Sequence, residues 1–356
     1  MNGSRARMAW RSALVPVAAL AVSLLIGSAI MAASGVDPLI GYRSLLLGAF
    51  GSPQAFGRTL QNATPLILTG LAVAFAFRGG LFNIGGDGQF AAGATAAAWA
   101  GVALGLPAGL GPVAVLLLGA LAGGLTGALA GFLKARFGAH EVVTTIMLNF
   151  IVTDLSTWLL LHPLSDHGQV PGSSAIRPSN ALPLLGAGLG GAHWGLLVAL
   201  AAVVVATLLL WRTAQGLELR VSGLAPRAAK YAGASPTMAA ITALGAGGAF
   251  AGLAGAGEVM GTYGHMTVPF VTNLGFLGIG AALLGRNHPI GCVVGGLVLG
   301  ALAAGGQQMQ FDVGISAHLT EVLVGVVLLL VTVQTLGVRR RSRRSLAAGP
   351  VVEGAR

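Results

Sequence analysis

The stretch Gly79-Gly-Leu-Phe-Asn-Ile-Gly-Gly-Asp-Gly-Gln89 stands between two strongly apolar runs, 64–77 and 90–104. Five glycines in eleven residues do not sustain a continuous membrane helix. The polar content is too small for an aqueous domain. Non-helical backbone at membrane depth is tolerated only where protein or a water-filled cavity surrounds it. The stretch therefore reads as a broken helix lining a polar pathway.

Outward from it, the chain keeps one character. Its 356 residues are 55% hydrophobic and 8% charged, with mean hydropathy +0.83. Repeated apolar runs of about 20 residues mark an all-α, polytopic membrane protein. Ten spans account for the pattern, near 13–33, 63–79, 88–104, 110–133, 142–162, 192–211, 236–256, 272–285, 289–309 and 315–337. The eighth is short for a crossing at 1.5 Å per residue and reads as a half-helix or a shallow span. The first follows Arg5, Arg7 and Arg11 and exceeds a signal-peptide core, so it reads as retained. The expected organisation is a tail at 1–12, a transmembrane domain at 13–337 and a basic tail at 338–356.

The net charge of +10 is topology information and not a nucleic-acid footprint, because the basic residues sit at the ends of apolar runs. With the N-terminus inside, only Arg43, Arg58 and Arg177 of the 20 basic residues fall outside. That asymmetry is what the positive-inside rule requires, and it puts both termini in the cytoplasm. The outer loops are then 34–62 and 163–191. His162, Asp166 and His167 in the second lack further ligands, so a solvated loop is preferred to a metal site. The single Cys292 lies in an apolar run and excludes an internal disulfide.

The longest inner loop, 212–235, contains Glu218 and Arg220, then Pro226-Arg-Ala-Ala-Lys-Tyr-Ala-Gly233. Pro226 suits a first helical turn and Gly233 a helix end, which gives a short cytoplasmic helix exposing Arg227 and Lys230, with Tyr231 available for packing. Glycines at 119, 123, 127 and 131, and the pairs 248/252, 291/295 and 296/300, recur every four residues. Such ridges let membrane helices approach closely.

Within the opening stretch, Asn83, Asp87 and Gln89 are candidate solute contacts, with Asn149 from the fifth span. Asp87 also suits capping of the third span, and each polar residue in a span also suits interhelical hydrogen bonding. Glu141 suits the N-terminus of the fifth span. Neither lysine lies in a phosphate-cradling loop, so ATP-driven transport would need a separate ATPase chain. No catalytic constellation is present. An ion-coupled secondary transporter or a channel is the alternative.

Four segments carry a resemblance. Leu81–Gln89, His140-Glu-Val-Val-Thr-Thr-Ile-Met-Leu-Asn-Phe150, Pro226–Gly233 and Ala282-Leu-Leu-Gly-Arg-Asn-His-Pro289 resemble permease subunits of ABC importers for simple sugars, nucleosides and branched-chain amino acids. The nucleoside-type branch is the most similar. The resemblance spans roughly 60–335. It implies a plasma-membrane permease with a ten-helix fold like that of vitamin B12 importers and no cofactor of its own. ATP and magnesium would reside on two cytoplasmic ATPase subunits, docked through the 212–235 loop with Glu218, Arg220, Pro226, Arg227, Lys230 and Tyr231. A second permease, identical or homologous, and an extracytoplasmic solute-binding lipoprotein complete the implied partners, with membrane lipid around them.

Overall fold

The computed structural model describes residues 24–314 save 108, 269, 271 and 272, together with positions 22, 322 and 325. The N-terminal arginines, most of the span at 315–337 and the basic tail lie outside the described residues. The chain divides into two units, Met1–Leu45 with Gly306–Arg356, and Leu46–Gly305.

In the first unit, α1 (Leu24–Ala33) and most of α2 (Pro38–Phe50) meet at a bend of 117°. Tyr42 donates to the Leu24 carbonyl at 2.7 Å, and Met31 packs with Met309.

The second unit contains α3 (Pro53–Arg78), α4 (Gly86–Ala103), α5 (Leu110–Phe137), α6 (Glu141–Leu161), α7 (Gly195–Arg212), α8 (Ala214–Leu224), α9 (Pro226–Tyr231), α10 (Pro236–Glu258), α11 (Leu274–Leu284) and most of α12 (Pro289–Val313). Among the described residues the only β pairing is three isolated bridges. Each expected span from the second to the ninth overlaps one of these helices. Six are long and apolar enough to cross a membrane, and α1 with α2 makes a seventh if the bent pair is one span. The helix α4 keeps its place but carries Asp87 and Gln89 in its first turn. The helix α11, at 11 residues, is about 16 Å long, half the hydrocarbon thickness.

The expected outer loop 34–62 is mostly helical, and α3 begins within it. Ser52 accepts a hydrogen bond from the Ala55 amide at 3.0 Å and Pro53 follows at N1, so α3 starts ten residues before the apolar run. Gln54, Arg58, Gln61 and Asn62 lower the hydropathy of these turns without weakening the helix.

The glycine ridges explain the packing. Gly119, Gly123, Gly127 and Gly131 of α5 lie directly on the α10 backbone at Leu244, Gly248 and Gly252 and on Ile241 and Ala256. A methyl group on Gly123 would stand 2.7 Å from the Gly252 Cα, so two backbones touch with no side chain between them. Gly123→Leu is expected to cost at least about 1–3 kcal/mol through overpacking. The check is a lowered unfolding temperature of the detergent-solubilised protein.

The π-helical turn Val259–Tyr263 continues α10. Beyond it the chain leads on to α11. Here Phe270 stacks on Phe90 at 6.1 Å, and Tyr263 meets Phe270 edge-on at 5.7 Å.

Candidate functional site

The Gly79–Gln89 stretch joins two helices. Gly79 closes α3, Gly80 adopts φ +73°, residues 81–84 have no regular secondary structure, and α4 begins at Gly86. Its depth follows from its neighbours. Arg78 Nε donates to the Asn287 carbonyl at 2.9 Å, so the end of α3 lies beside the α11–α12 connection. The α5–α6 connection and the α8–α9 segment lie at this same end. From it, Gly127 is about 15 Å along α5, Asn149 about 12 Å along α6, Gly247 about 16 Å along α10 and Gly275 about 14 Å along α11. All four touch the stretch or the first turn of α4. Residues 79–86 therefore run inward from that end of the bundle, to a level about 12–16 Å along the neighbouring helices.

The four expected solute contacts converge here. Asn83 Nδ2 donates to Gln89 Oε1 at 2.9 Å, and Gln89 Nε2 donates back to Asn83 Oδ1 at 3.1 Å. Asn83 Oδ1 also accepts from the Gly85 amide at 3.0 Å. Both side chains are 1% exposed, wedged against Gly127 and Gly247. Asn149 reaches across from α6: its Oδ1 accepts from the Gly88 amide and its Nδ2 donates to the Ile84 carbonyl, each at 2.8 Å. Backbone that no helix satisfies is thereby satisfied by side chains, as the bilayer interior demands.

Asp87 does not cap its own helix, and this corrects the sequence reading. Gly85 occupies the α4 N-cap, and Asp87 Oδ1 accepts from the Gly275 amide at 2.8 Å in the first turn of α11. Two helix N-termini meet here, and one carboxylate faces the positive end of both. Its Oδ2 is buried with no partner among the described residues. Asp87→Ala is expected to destabilise the protein by about 0.5–2 kcal/mol, the loss of an N-cap, read by thermal unfolding in detergent.

The 212–235 loop folds as α8 and α9. Pro226 opens α9 and Gly233 adopts φ +84° beyond its end, as its cap signals predict. Arg227 and Lys230 are exposed, and Tyr231 is 94% and Leu224 88% exposed. Glu218 is exposed. Arg220 instead packs inward with its guanidinium 5.8 Å from the Trp211 ring, which Arg78 approaches at 5.4 Å and His288 at 4.8 Å. Loss of water and the neighbouring Arg78 push the His288 pKa down. Glu141 opens α6 and pairs with Lys134 at 2.7 Å.

One contact has no signal in the sequence. Gly223 of α8 lies against the backbone of Gly79 and Gly80: a methyl group on Gly80 would stand 2.7 Å from the Gly223 Cα. The exposed loop thus backs directly onto the foot of the 79–86 segment.

Residues 56–332 match the family model described as branched-chain amino acid transport system / permease component. The chain belongs to this family. It is 40% identical over 321 residues to the guanosine ABC transporter permease protein NupP of Bacillus subtilis, covering 89% of this chain and 92% of that one. It is 34% identical to the nucleoside ABC transporter permease protein NupB of Lactococcus lactis, over 91% of this chain and 92% of that one. It is 33% identical to the glucose ABC transporter permease protein TsgB13 of Haloferax volcanii, over 90% and 87% respectively. Each of these organisms also holds a second, more distant relative, at 26–27% identity. No solved structure matches the chain.

The chain is therefore a multi-pass membrane protein and a permease subunit of an ABC importer. Within this permease the sequence also hides a buried polar group beside the π-helical turn. His193 Nδ1 accepts from the Gly195 amide at 3.1 Å, which leaves Nε2 as the protonated nitrogen facing Thr262 Oγ1 at 3.4 Å. Gln61 Nε2 meets the same hydroxyl at 3.4 Å. Nothing in the spacing of these residues marks them in advance.

Proposed function

We propose that this permease subunit imports a nucleoside, with simple sugars as the neighbouring class, by alternating access in the plasma membrane. The observation that carries the mechanism is the continuity from α9 to the buried 79–89 segment. An exposed patch of Leu224, Arg227, Lys230 and Tyr231 lies one helix from Gly223, and Gly223 lies against the foot of the segment that Asn83, Gln89 and Asn149 hold together. A large aromatic ring and an aliphatic side chain left in water beside two cations suit a groove on a partner protein. That partner is a cytoplasmic ATPase subunit, which holds the ATP and magnesium that this chain has no loop to bind. Movement at α9 then shifts α8, and α8 shifts the hinge.

Asn83, Asp87, Gln89 and Asn149 act in this reading as the frame of the pathway. The amides of Asn83, Gln89 and Asn149 bind each other and backbone, and Asp87 Oδ1 holds the Gly275 amide, so they set the position of the hinge against which the solute moves. Asp87 Oδ2 has no partner among the described residues.

The second permease is a homologue. Support comes from the paired relatives, one closer and one more distant, in each of three organisms. Ten crossings in a fold like the vitamin B12 importers remain the proposed count, from α3–α7, α10–α12 and the runs 13–33 and 315–337. Charge asymmetry supports cytoplasmic termini. A solute-binding lipoprotein delivers the cargo from outside.

The test pairs purification with activity. The complex is expected to carry an ATPase subunit and to raise its hydrolysis when loaded receptor is added. Arg227→Ala with Lys230→Ala should abolish that rise while the bundle stays folded. A rise of unchanged size removes α9 from the docking surface.

A further inference from the structure

The end of α3, the end of α7, the helix α8 and the α11–α12 connection meet at one rim of the bundle. Trp211, in the last turn of α7, is the centre of this meeting. Two guanidiniums lie on its single indole, Arg78 at 5.4 Å and Arg220 at 5.8 Å, and the His288 ring stands 4.8 Å away. All four side chains are half-buried.

The titratable side chains around the indole offer donors. Arg78 Nε is engaged by the Asn287 carbonyl at 2.9 Å and Arg220 Nε by the Gly216 carbonyl at 3.3 Å. The other N–H groups of both guanidiniums reach no acceptor among the described residues. His288 Nδ1 accepts from the Ile290 amide at 3.2 Å, so its Nε2 carries the proton and is a donor too. Two like charges on one ring repel each other, and the aromatic face offsets only part of that. No carboxylate among the described residues pairs with them. The one ion pair there is Lys134 with Glu141, and Glu218, two residues before Arg220, leaves α8 on another face. Outside the described residues the chain has two acids, Glu321 and Glu353.

We propose that Arg78 and Arg220, flanked by Trp211 and His288, form a binding site for one phosphate group, supplied by an anionic lipid headgroup or by free phosphate. Guanidinium forks match phosphate oxygens in pairs, and basic pockets between membrane helices suit acidic headgroups. A tryptophan at the end of an apolar helix marks the interface where headgroups lie. Position gives the site a task. Arg78 immediately precedes Gly79, and Arg220 lies one turn before Gly223, so a phosphate held by both ties α3 to α8 across the glycine contact. The bound group fastens α8 to the foot of the 79–86 segment.

The experiment uses the full chain, stripped of lipid in detergent, and native mass spectrometry with three probes: dioleoylphosphatidylglycerol, dioleoylphosphatidylcholine and inorganic phosphate. One phosphatidylglycerol is expected to bind ahead of all others, and phosphatidylcholine, whose headgroup has no net charge, far more weakly. Arg220→Gln should weaken the first binding by roughly ten- to a hundredfold, the loss of hydrogen bonds to a charged group. Arg220 is the better probe, because Arg78 also holds the α11–α12 connection. Arg220→Lys keeps the charge without the fork and should recover part of the affinity. Thermal unfolding reads the fastening: phosphatidylglycerol should raise the midpoint of the natural chain and not that of Arg220→Gln. Displacement by millimolar inorganic phosphate, with the same rise in midpoint, supports the site and names soluble phosphate as its source. Binding that phosphate leaves undisturbed supports the site and names the headgroup. The proposal is overturned if neither anion binds, if Arg220→Gln or Arg220→Lys holds phosphatidylglycerol as tightly as the natural chain, or if phosphatidylcholine binds equally, which marks contact with acyl chains alone.

Discussion

Gly223→Val is expected to separate ATP hydrolysis from transport. The α8 backbone meets Gly79 and Gly80 with no side chain between, and a Cβ on Gly223 would stand 2.6 Å from the Gly80 nitrogen. Neither side has room to yield, because Gly80 holds a left-handed conformation that other residues resist. A branched side chain at Gly223 pushes α8 off the hinge while leaving the exposed face of α9 unchanged. ATPase subunits should still bind, and basal hydrolysis should persist. Uptake should fall by roughly 5–150-fold, the range of a typical coupling free energy. Measured uptake and hydrolysis from the same vesicles give the ratio directly. Equal losses in both would mean that the substitution damages docking and that the contact does not transmit.

Asn83→Leu and Gln89→Met are expected to be severe alone and much less than additive together. Each single change leaves a buried amide inside the bundle without its reciprocal partner. An unsatisfied buried polar group costs about 1–3 kcal/mol. The double change removes both side-chain amides and leaves only the Gly85 amide short of its acceptor. Thermal unfolding of the four proteins in detergent yields the interaction energy, expected at about 1–3 kcal/mol. Uptake should be lost in both single variants. Normal uptake in either, with normal assembly, would take the pair out of the working hinge.

Hydropathy and charge made the spans legible, because a membrane helix is written in its composition. They failed where a helix has polar turns. The first ten residues of α3 carry Gln54, Arg58 and Gln61 and were hidden, although Ser52 and Pro53 spell the cap. Pro226 and Gly233 made α9 readable for the same local reason. The interruption at Gly79–Gln89 was plain from its glycines. The destination of its side chains was not, since Asn83 pairs with Gln89 only where Gly127 and Gly247 leave space for both. Asp87 is the sharpest case: local spacing suggests a cap on α4, while the amide it accepts from lies 188 residues further on. Contacts between distant glycines, such as Gly223 with Gly80, leave no periodic trace. Arg220 is visible as a basic residue in an inner loop, but its inward turn onto Trp211 needs the packed bundle.

The central claim is that this chain forms part of a pathway driven by a separate ATPase. Uptake of labelled guanosine into proteoliposomes tests it most directly, with the chain reconstituted alone and then with its second permease, receptor and ATPase. The account predicts saturable uptake that requires ATP and all subunits, and no flux from the chain alone. Solute flux through the chain alone, driven by an ion gradient or by none, would contradict it.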